Sequence, residues 1–244
     1  MSLQLERISF SFQDKRVLHD VSFDVNRGEF VAIIGPSGSG KSTLLHVIGG
    51  LLNPDCGAVF LNGKDVTNKT GNISYMPQEA SLFPWRTVLE NTLLGQELTG
   101  EVHKERAKQL LEKANLGHVM DAYPYELSGG MKQRVAFIRS LLCPQPIICL
   151  DEPFSALDAF TRLDMQKWLL NIWEEHERSL LFVTHDLEEA IFLADKIVVL
   201  SANPATVKKV VHVPFQRPRD ERILQEVQFF QLKRDIMQMI VQHT

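Results

Sequence analysis

The sequence reads Gly35-Pro36-Ser37-Gly38-Ser39-Gly40-Lys41-Ser42-Thr43 directly after the apolar run Phe30–Ile34. This segment satisfies every position of the pattern G-x-x-x-x-G-K-[ST], between a predicted buried strand and a helix predicted from about Lys41 to Leu52. In such a loop the glycines turn backbone N–H groups toward phosphates, and the helix N-terminus adds positive partial charge. Lys41 would then reach the β- and γ-phosphates, and Ser42 would offer a hydroxyl to Mg²⁺. The segment therefore predicts a nucleotide phosphate site.

The rest of the chain places this loop in a parallel sheet. Apolar runs that are typical of strands buried on both faces recur at Ile147–Leu150, Leu180–Val183 and Ile197–Leu200, with helices between them. Residues 3–25 alternate apolar and polar, which predicts two antiparallel strands. The segment 87–143 has helical periodicity and is interpreted as an inserted helical subdomain. We expect an α/β domain over residues 1–202 and an extension, 203–244, that ends in an amphipathic helix.

Two acids end one of the buried strands. Asp151 and Glu152 follow Ile147–Leu150, and ligands bind at the carboxyl ends of parallel strands. A carboxylate there can hold Mg²⁺, and a second can orient or deprotonate an attacking water. We assign Asp151 to the metal and Glu152 to the water. The alternative is an acid that caps the next turn.

Two polar residues follow neighbouring strands. His185 comes after Leu180–Thr184, where it would donate to the γ-phosphate or its leaving oxygen. Gln78 follows the strand-like run Ile73–Met76, and by itself it is more consistent with an exposed polar residue than with a site residue.

A second pair of glycines opens another helix. The segment Leu127-Ser-Gly-Gly-Met-Lys-Gln-Arg134 begins a helix predicted to end near Leu142. Glycine in a first helical turn costs up to about 1 kcal/mol against alanine, so Gly129 and Gly130 need a reason. Close approach of their N–H groups to an anion is one reason. Ser128 is equally consistent with a simple N-cap.

Composition restricts the class of protein. The chain has 244 residues, of which 44% are hydrophobic and 23% are charged, and its net charge is −4. This balance is that of a globular domain, and the charge gives no reason to expect nucleic acid as a partner. Three cysteines without disulfide or metal spacing favour a reducing cytosol. The N-terminus lacks the core of a signal peptide, and no apolar run approaches the roughly 18 residues that span a bilayer. We expect the chain to reach a membrane through a partner.

Taken together, these motifs resemble the ATP-binding subunit of ABC transporters over essentially the whole chain. The motifs that carry the resemblance occur in the family's order: the phosphate loop (35–42), Gln78, the signature segment (127–134), the strand with its acids (147–152), Ser155-Ala-Leu-Asp158 and His185. The resemblance implies a P-loop ATPase fold with a mixed sheet, an antiparallel β subdomain and a helical subdomain. It also implies ATP and Mg²⁺ as cofactors.

The resemblance further implies how the site is completed. In a head-to-tail homodimer, the Ser128–Gly130 turn of one copy would contact the γ-phosphate held by the phosphate loop of the other, which favours the anion interpretation of this turn. Gln78 would link the Mg²⁺ site to a transmembrane permease, and Asp158 would lie at the dimer contact. An aromatic ring near Phe12 would stack on adenine, with Val17 among the nucleotide contacts. The alternative for Phe12 is a core position of its strand.

Two further segments resemble one importer subtype. The segments Leu82–Asn91 and Arg217–Asp220 are similar to those of importers of the nitrate, sulfonate and taurine type, a group that also includes transporters of thiamine-precursor pyrimidines. This implies an extracytoplasmic substrate-binding protein and a place on the cytoplasmic face of the membrane. Ser155 departs from the glycine common in that subtype. Phe83 and Trp85 would suit a surface that receives the permease, or would pack within the subdomain.

Other classes fit less well. ABC ATPases of chromosome organisation need long coiled-coil insertions, and those of translation usually carry tandem cassettes; the chain has neither feature. A scaffold ATPase of iron–sulfur assembly would not explain the Phe83–Asn91 segment. A small P-loop kinase would explain neither the Ser-Gly-Gly helix nor His185.

Overall fold

The computed structural model describes residues 3–155, 157–176 and 178–241. Ala156, in the Ser155–Asp158 motif, and the last three residues of the chain lie outside this range. The strands, in chain order, are β1 (Leu3–Phe12), β2 (Lys15–Val25), β3 (Phe30–Ile34), β4 (Cys56–Leu61), β5 (Lys64–Asp65), β6 (Ser74–Met76), β7 (Ile147–Asp151), β8 (Ser179–Val183), β9 (Lys196–Leu200) and β10 (Val207–His212). The α-helices are α1 (Lys41–Ile48), α2 (Val88–Glu97), α3 (Lys104–Lys113), α4 (Gly129–Leu142), α5 (Ala159–His176), α6 (Leu187–Leu193) and α7 (Val227–Val241).

A six-stranded mixed sheet forms the centre of the fold, in the order β10-β9-β3-β8-β7-β6. The strands β9, β3, β8, β7 and β6 run parallel, and β10 is antiparallel to β9. Every residue of β3, β7, β8 and β9 is buried, because helices or the second sheet cover both faces. The carboxyl ends of β3, β7 and β8 therefore meet at one edge of the sheet.

A smaller antiparallel sheet has the order β2-β1-β4-β5. It arises from the N-terminal alternation, since Leu3, Leu5 and Ile8 point into the core while the residues between them are more exposed. The predicted antiparallel β subdomain and mixed sheet are confirmed.

The helical insertion lies between β6 and β7 and contains α2, α3 and α4. Thr87 begins α2 with a capping box, in which its hydroxyl accepts from Glu90 N and the Glu90 carboxylate accepts from Thr87 N. The insertion is less continuously helical than its periodicity suggests, because 98–103 and 114–128 form turns and two short 3₁₀ segments. The helix α1 also ends at Ile48 rather than near Leu52, since Gly50 takes a left-handed φ of 70°.

The central sheet separates two hydrophobic cores. The larger one contains the inserted helices, α5, α6 and α7 on one face of the sheet. The other joins the N-terminal sheet and α1 to the opposite face. Both faces of β3 are therefore held, which fixes the position of the loop that follows it.

The C-terminal segment is joined to the central sheet through β10, which pairs with β9. Arg219 is buried, and its guanidinium donates to the carbonyl oxygens of Phe192 and Ala194 at the end of α6. A division of the chain at residues 202/203 therefore remains a proposal, as does the 87–143 boundary. Across the residues that the structure describes, no helix has both the length and the apolar character to cross a bilayer.

Candidate nucleotide site

The phosphate loop joins β3 to α1. Gly40 precedes the helix with φ 93°, in the left-handed region that favours glycine. A Cβ atom at Gly40 would lie 2.7 Å from Cγ1 of Val17, so close packing also requires glycine there. The N-terminus of α1 has no side-chain cap, which leaves its first N–H groups available to an anion.

Lys41 is folded back into this loop. Its side chain is buried, and Nζ donates to the carbonyl oxygens of Gly35, at 3.0 Å, and Pro36, at 2.9 Å. Burial lowers the pKa of Lys41, whereas the negative charges of Glu152 and Asp151 act in the opposite direction. Ser39 Oγ is buried without a hydrogen-bond partner among the described residues. The buried Ser39 hydroxyl has no partner in the loop, and the Lys41 ammonium group is bound only to loop carbonyl oxygens. Both groups could bind phosphate oxygens, so the loop fits a triphosphate as its ligand.

Asp151 lies beside the start of α1. Its Oδ1 accepts from Ser42 Oγ at 3.1 Å, and its Oδ2 accepts from Tyr75 OH at 3.2 Å. Burial raises the pKa of Asp151, while the hydrogen bonds from Ser42 and Tyr75 partly oppose the shift. A hydroxyl and a carboxylate at this separation are hard oxygen ligands of the kind that Mg²⁺ prefers. The residues present therefore fit a magnesium ion.

Glu152 turns sharply away from β7. Its φ of 46° lies in the left-handed region, which is unusual for a residue with a side chain. Its backbone N–H still bonds to Val183 O at 3.0 Å, so the turn is held by β8. The carboxylate oxygen Oε2 lies 3.3 Å from Nδ1 of His185, whose side chain is 57% exposed. The acid and the histidine are thus brought together at the edge of the sheet.

Gln78 connects three parts of the molecule. Its side-chain amide donates to Ser155 Oγ at 3.2 Å, and its backbone carbonyl oxygen accepts from the side-chain amide of Gln133 in α4 at 3.0 Å. Ser155 Oγ in turn donates to the carbonyl oxygen of Glu152. The amide is therefore bound to the loop after the acids, and a role for it at the metal remains a proposal.

The Ser128–Gly130 turn begins α4. Ser128 is exposed, and its hydroxyl accepts from Met131 N at 3.3 Å, as an N-cap does. Gly129 faces open space, whereas a Cβ atom at Gly130 would lie 2.9 Å from Cγ2 of Thr161. Packing against α5 is thus a sufficient reason for Gly130 but not for Gly129. The Cβ position of Gly130 also lies 3.8 Å from Cδ2 of Leu157, in the segment before α5.

The three outlying candidates have different surroundings. Phe12 is 51% exposed and meets Phe10 edge-on at 4.8 Å, so the core alternative for Phe12 is wrong. The chain leaves the sheet at this point, because β1 ends at Phe12 and the turn to β2 follows. Val17 is partly buried against Gly40. Asp158 is exposed and caps α5, accepting from the N–H groups of Phe160 and Thr161.

Sequence reasoning missed two residues next to Asp151. Tyr75 OH contacts Asp151, and His46 Nε2 lies 3.1 Å from the same hydroxyl. The only sequence signals are that His46 follows Ser42 by one helical turn and that Tyr75 precedes Gln78. Neither signal shows that the two side chains meet, because the contact depends on the pairing of β6 with β7.

A second missed group lies behind His185. Thr184 Oγ1 donates to Glu189 at 2.6 Å, and Arg162 lies 3.8 Å from the other oxygen of this carboxylate. Glu189 is buried, and burial raises its pKa to about 6. The guanidinium of Arg162 also donates to the carbonyl oxygen of Leu157, so this group joins the Asp158 loop to the His185 loop.

The chain is similar to ATP-binding proteins of known importers. The profile of the family described as "ABC transporter" matches residues 18–155. The aliphatic sulfonates import ATP-binding protein SsuB of Bacillus cereus is 41% identical over 233 residues, which cover 93% of this chain and 93% of that protein. The nitrate import ATP-binding protein NrtD of a Synechocystis species is 39% identical in an alignment 253 positions long, which includes 98% of this chain and 95% of that protein.

A solved structure agrees with this likeness. The dimeric structure of the ATP-binding cassette MJ0796 in a post-hydrolysis state, bound to ADP and Pi, superposes with a TM-score of 0.74 at 30% identity. The match covers 88% of this chain and all of that one, 100%. With the phosphate loop, the acids of β7 and His185 at one edge of a mixed sheet, these findings show that the chain belongs to the ABC transporter family, as an ATP-binding, ATP-hydrolysing subunit.

Proposed function

We propose that a head-to-tail homodimer of this chain binds two ATP molecules and that their hydrolysis drives a membrane permease importing a small anion. The observation that carries the proposal is the meeting of Lys41, Asp151, Glu152 and His185 at the carboxyl edge of one sheet. In this proposal Lys41 is the cation, Asp151 the metal ligand, Glu152 the base and His185 the hydrogen-bond donor. Enzymes that transfer a phosphoryl group to water supply positive charge at the phosphates and a group that positions the water, and these side chains could do both.

Each side chain then has a role in hydrolysis. The loop amides of 35–43 and Lys41 bind the phosphates, with Lys41 exchanging its two loop carbonyl oxygens for phosphate oxygens. Ser42 and Asp151, with Gln78, would hold Mg²⁺, which when bound neutralises charge on the phosphates. Glu152 orients the attacking water and accepts its proton, and His185 donates to the γ-phosphate.

The second copy would complete the site. Gly129 faces open space at the uncovered start of α4, where its N–H group is available to a phosphate from outside the copy. Ser128 would add its hydroxyl, and Asp158 would lie at the contact between copies. Phe12, exposed at the end of β1, and Val17 would contact the adenine end of the nucleotide.

The anion and the partners are inferred from the relatives. The likeness to sulfonate and nitrate import proteins supports a small anion, such as nitrate, a sulfonate or taurine, over a pyrimidine. We infer a transmembrane permease, an extracytoplasmic substrate-binding protein and a position on the cytoplasmic face of the membrane. Phe83 and Trp85 are stacked and exposed, as a surface for the permease would be. Stimulation of ATP hydrolysis by each anion in a reconstituted transporter tests the choice of substrate.

The dimer is tested with Glu152→Gln. The amide keeps the shape of Glu152 but cannot accept a proton, so we expect hydrolysis to be lost while ATP binding is retained. Size-exclusion chromatography with light scattering should then show a stable dimer with ATP and a monomer without it. Lys41→Ala in the same background should abolish the dimer, because nucleotide binding is weakened. A Glu152→Gln form that binds ATP and stays monomeric would contradict the shared site.

A further inference from the structure

Three side-chain hydrogen bonds that pass through the Asp151 carboxylate form a ring, which the backbone of α1 closes between Ser42 and His46. Ser42 and His46 lie one turn apart on the same face of α1. Ser42 contacts Asp151, and His46 contacts Tyr75, which is itself hydrogen-bonded to Asp151. Ser42 Oγ donates to Asp151 Oδ1, Tyr75 OH donates to Asp151 Oδ2, and His46 Nε2 meets Tyr75 OH at 3.1 Å. The ring therefore ties the phosphate-loop helix to β7 through a residue of β6.

The Tyr75 hydroxyl donates one of its two hydrogen bonds in this ring and accepts the other. It donates its one proton to Asp151, so it accepts from His46, whose Nε2 then carries the proton. Tyr75 is partly buried, and burial together with the charge of Asp151 raises the pKa of its hydroxyl, which keeps it a donor. The imidazole also meets the tyrosine ring edge-on at 5.6 Å, so ring packing accounts for the aromatic residue but not for its hydroxyl.

We propose that Tyr75, supported by His46, is a positioning residue that holds the Asp151 carboxylate with Oδ1 turned toward Ser42, ready for a metal ion. This rests on the proposed Mg²⁺ site and names a further residue on which that site depends. A carboxylate that loses one of its two partners is free to rotate about its Cβ–Cγ bond. Such outer partners are worth roughly 10–100-fold in metal affinity where they orient a ligand.

The test is Tyr75→Phe, which keeps the ring and removes only the hydroxyl. The affinity for a fluorescent ATP analogue is measured in EDTA and across a Mg²⁺ titration, together with the melting temperature. We expect the Mg²⁺ concentration at half effect to rise about 10-fold, while nucleotide affinity in EDTA changes less than about twofold. The matched control is Tyr125→Phe, the same chemical change on a tyrosine that is 76% exposed; it should leave both values unchanged.

Two further variants separate positioning from general structure. His46→Leu leaves the tyrosine hydroxyl but removes its support, and we expect a smaller shift in the same direction. Asp151→Asn should remove most of the Mg²⁺ response and so marks its upper limit. A Tyr75→Phe protein with a wild-type Mg²⁺ titration would overturn the role of Tyr75 alone. Equal losses of nucleotide affinity with and without Mg²⁺ would do the same, since they indicate damage to the loop. Nucleotide binding of the wild type that ignores Mg²⁺ would overturn the metal site and this proposal together.

Discussion

Glu152 shows how much a single backbone angle contributes to this site. A residue that continued β7 in extended conformation would send its side chain to a face of the sheet. The φ of 46° at Glu152 instead turns the carboxylate toward His185, at 3.3 Å. Such a conformation costs of order 1–3 kcal/mol in a residue with a Cβ atom. The hydrogen bond from Glu152 N to Val183 O helps to offset that cost.

Glu189 predicts a pH dependence of stability. Its folded pKa of about 6 lies above its ordinary value of 4.5, because burial disfavours the carboxylate. The folded protein therefore holds the proton more tightly than the unfolded chain does. The resulting stabilisation is fully present below pH 4.5 and is lost as the pH rises through about 6, with a total of about 2 kcal/mol.

The variant that tests this is Glu189→Gln, which cannot titrate and can still accept from Thr184. Urea unfolding at intervals between pH 4.5 and 7 gives the free energy of unfolding of both proteins. We expect the wild type to lose about 2 kcal/mol relative to the variant across this window. Parallel curves would mean that the carboxylate has an ordinary pKa in the folded protein.

At the scale of one element, α4 begins with two glycines that have different surroundings. Gly129 faces open space, while the Cβ position of Gly130 is 2.9 Å from the methyl group of Thr161. That methyl cannot turn away easily, because Thr161 Oγ1 donates to Asp158 at 2.6 Å. The start of α4 is therefore fitted to the start of α5 at Gly130 and open to an outside ligand at Gly129.

Alanine at each position should separate packing from ligand contact. Gly129→Ala should keep or raise the free energy of unfolding, by up to about 1 kcal/mol from helix propensity, yet reduce ATP hydrolysis if a phosphate of the other copy approaches there. Gly130→Ala should be less stable than Gly129→Ala by about 1 kcal/mol or more, because of the crowded contact. Thermal and urea unfolding measure the first effect, and phosphate release measures the second.

The control for the packing argument is Thr161→Ser combined with Gly130→Ala. Serine keeps the hydroxyl that binds Asp158 and removes the methyl that crowds position 130. The double variant should therefore regain most of the free energy of unfolding that Gly130→Ala loses. Equal stability of the two single alanine variants would show that α5 yields at this contact.

At the scale of the whole molecule, the C-terminal helix is part of the larger core. Phe229 and Ile236 of α7 are buried, at 1% and 0% exposure, and both belong to the cluster beneath the central sheet. Lys233 also pairs with Glu188 of α6 at 2.6 Å. Since α6 follows the His185 loop directly, the tail supports the element next to the site.

Adjacent phenylalanines in α7 test how much the tail contributes. Phe229→Ala should lower the free energy of unfolding by about 3–5 kcal/mol, because it empties a buried site. Phe230→Ala, at a position 56% exposed, should change it by less than about 0.5 kcal/mol. Urea unfolding of both variants is the measurement. Similar small effects would indicate that α7 leaves the core at little cost.

Much of the fold could be predicted because its signals are local. The buried runs of β3, β7, β8 and β9 are short and apolar, and the phosphate loop lies where one of them meets a helix. Since parallel strands end at one edge, the meeting of Lys41, Asp151 and His185 also follows from the order of motifs. The limits of α1 were less predictable, because a helix end depends on the backbone conformation of Gly50.

The sequence by itself therefore determined the parallel strands, the phosphate loop and the edge of the sheet at which the candidate site residues lie. Only the tertiary structure decided that Tyr75 and His46 support Asp151, that Glu152 turns to His185, and that Gly130 packs on Thr161. The physical reason is that these contacts join residues far apart in the sequence. A pattern of spacing reports which residues share a face of one element, whereas these contacts join different strands and helices. Their geometry exists only once register and packing bring those elements within a hydrogen bond of each other.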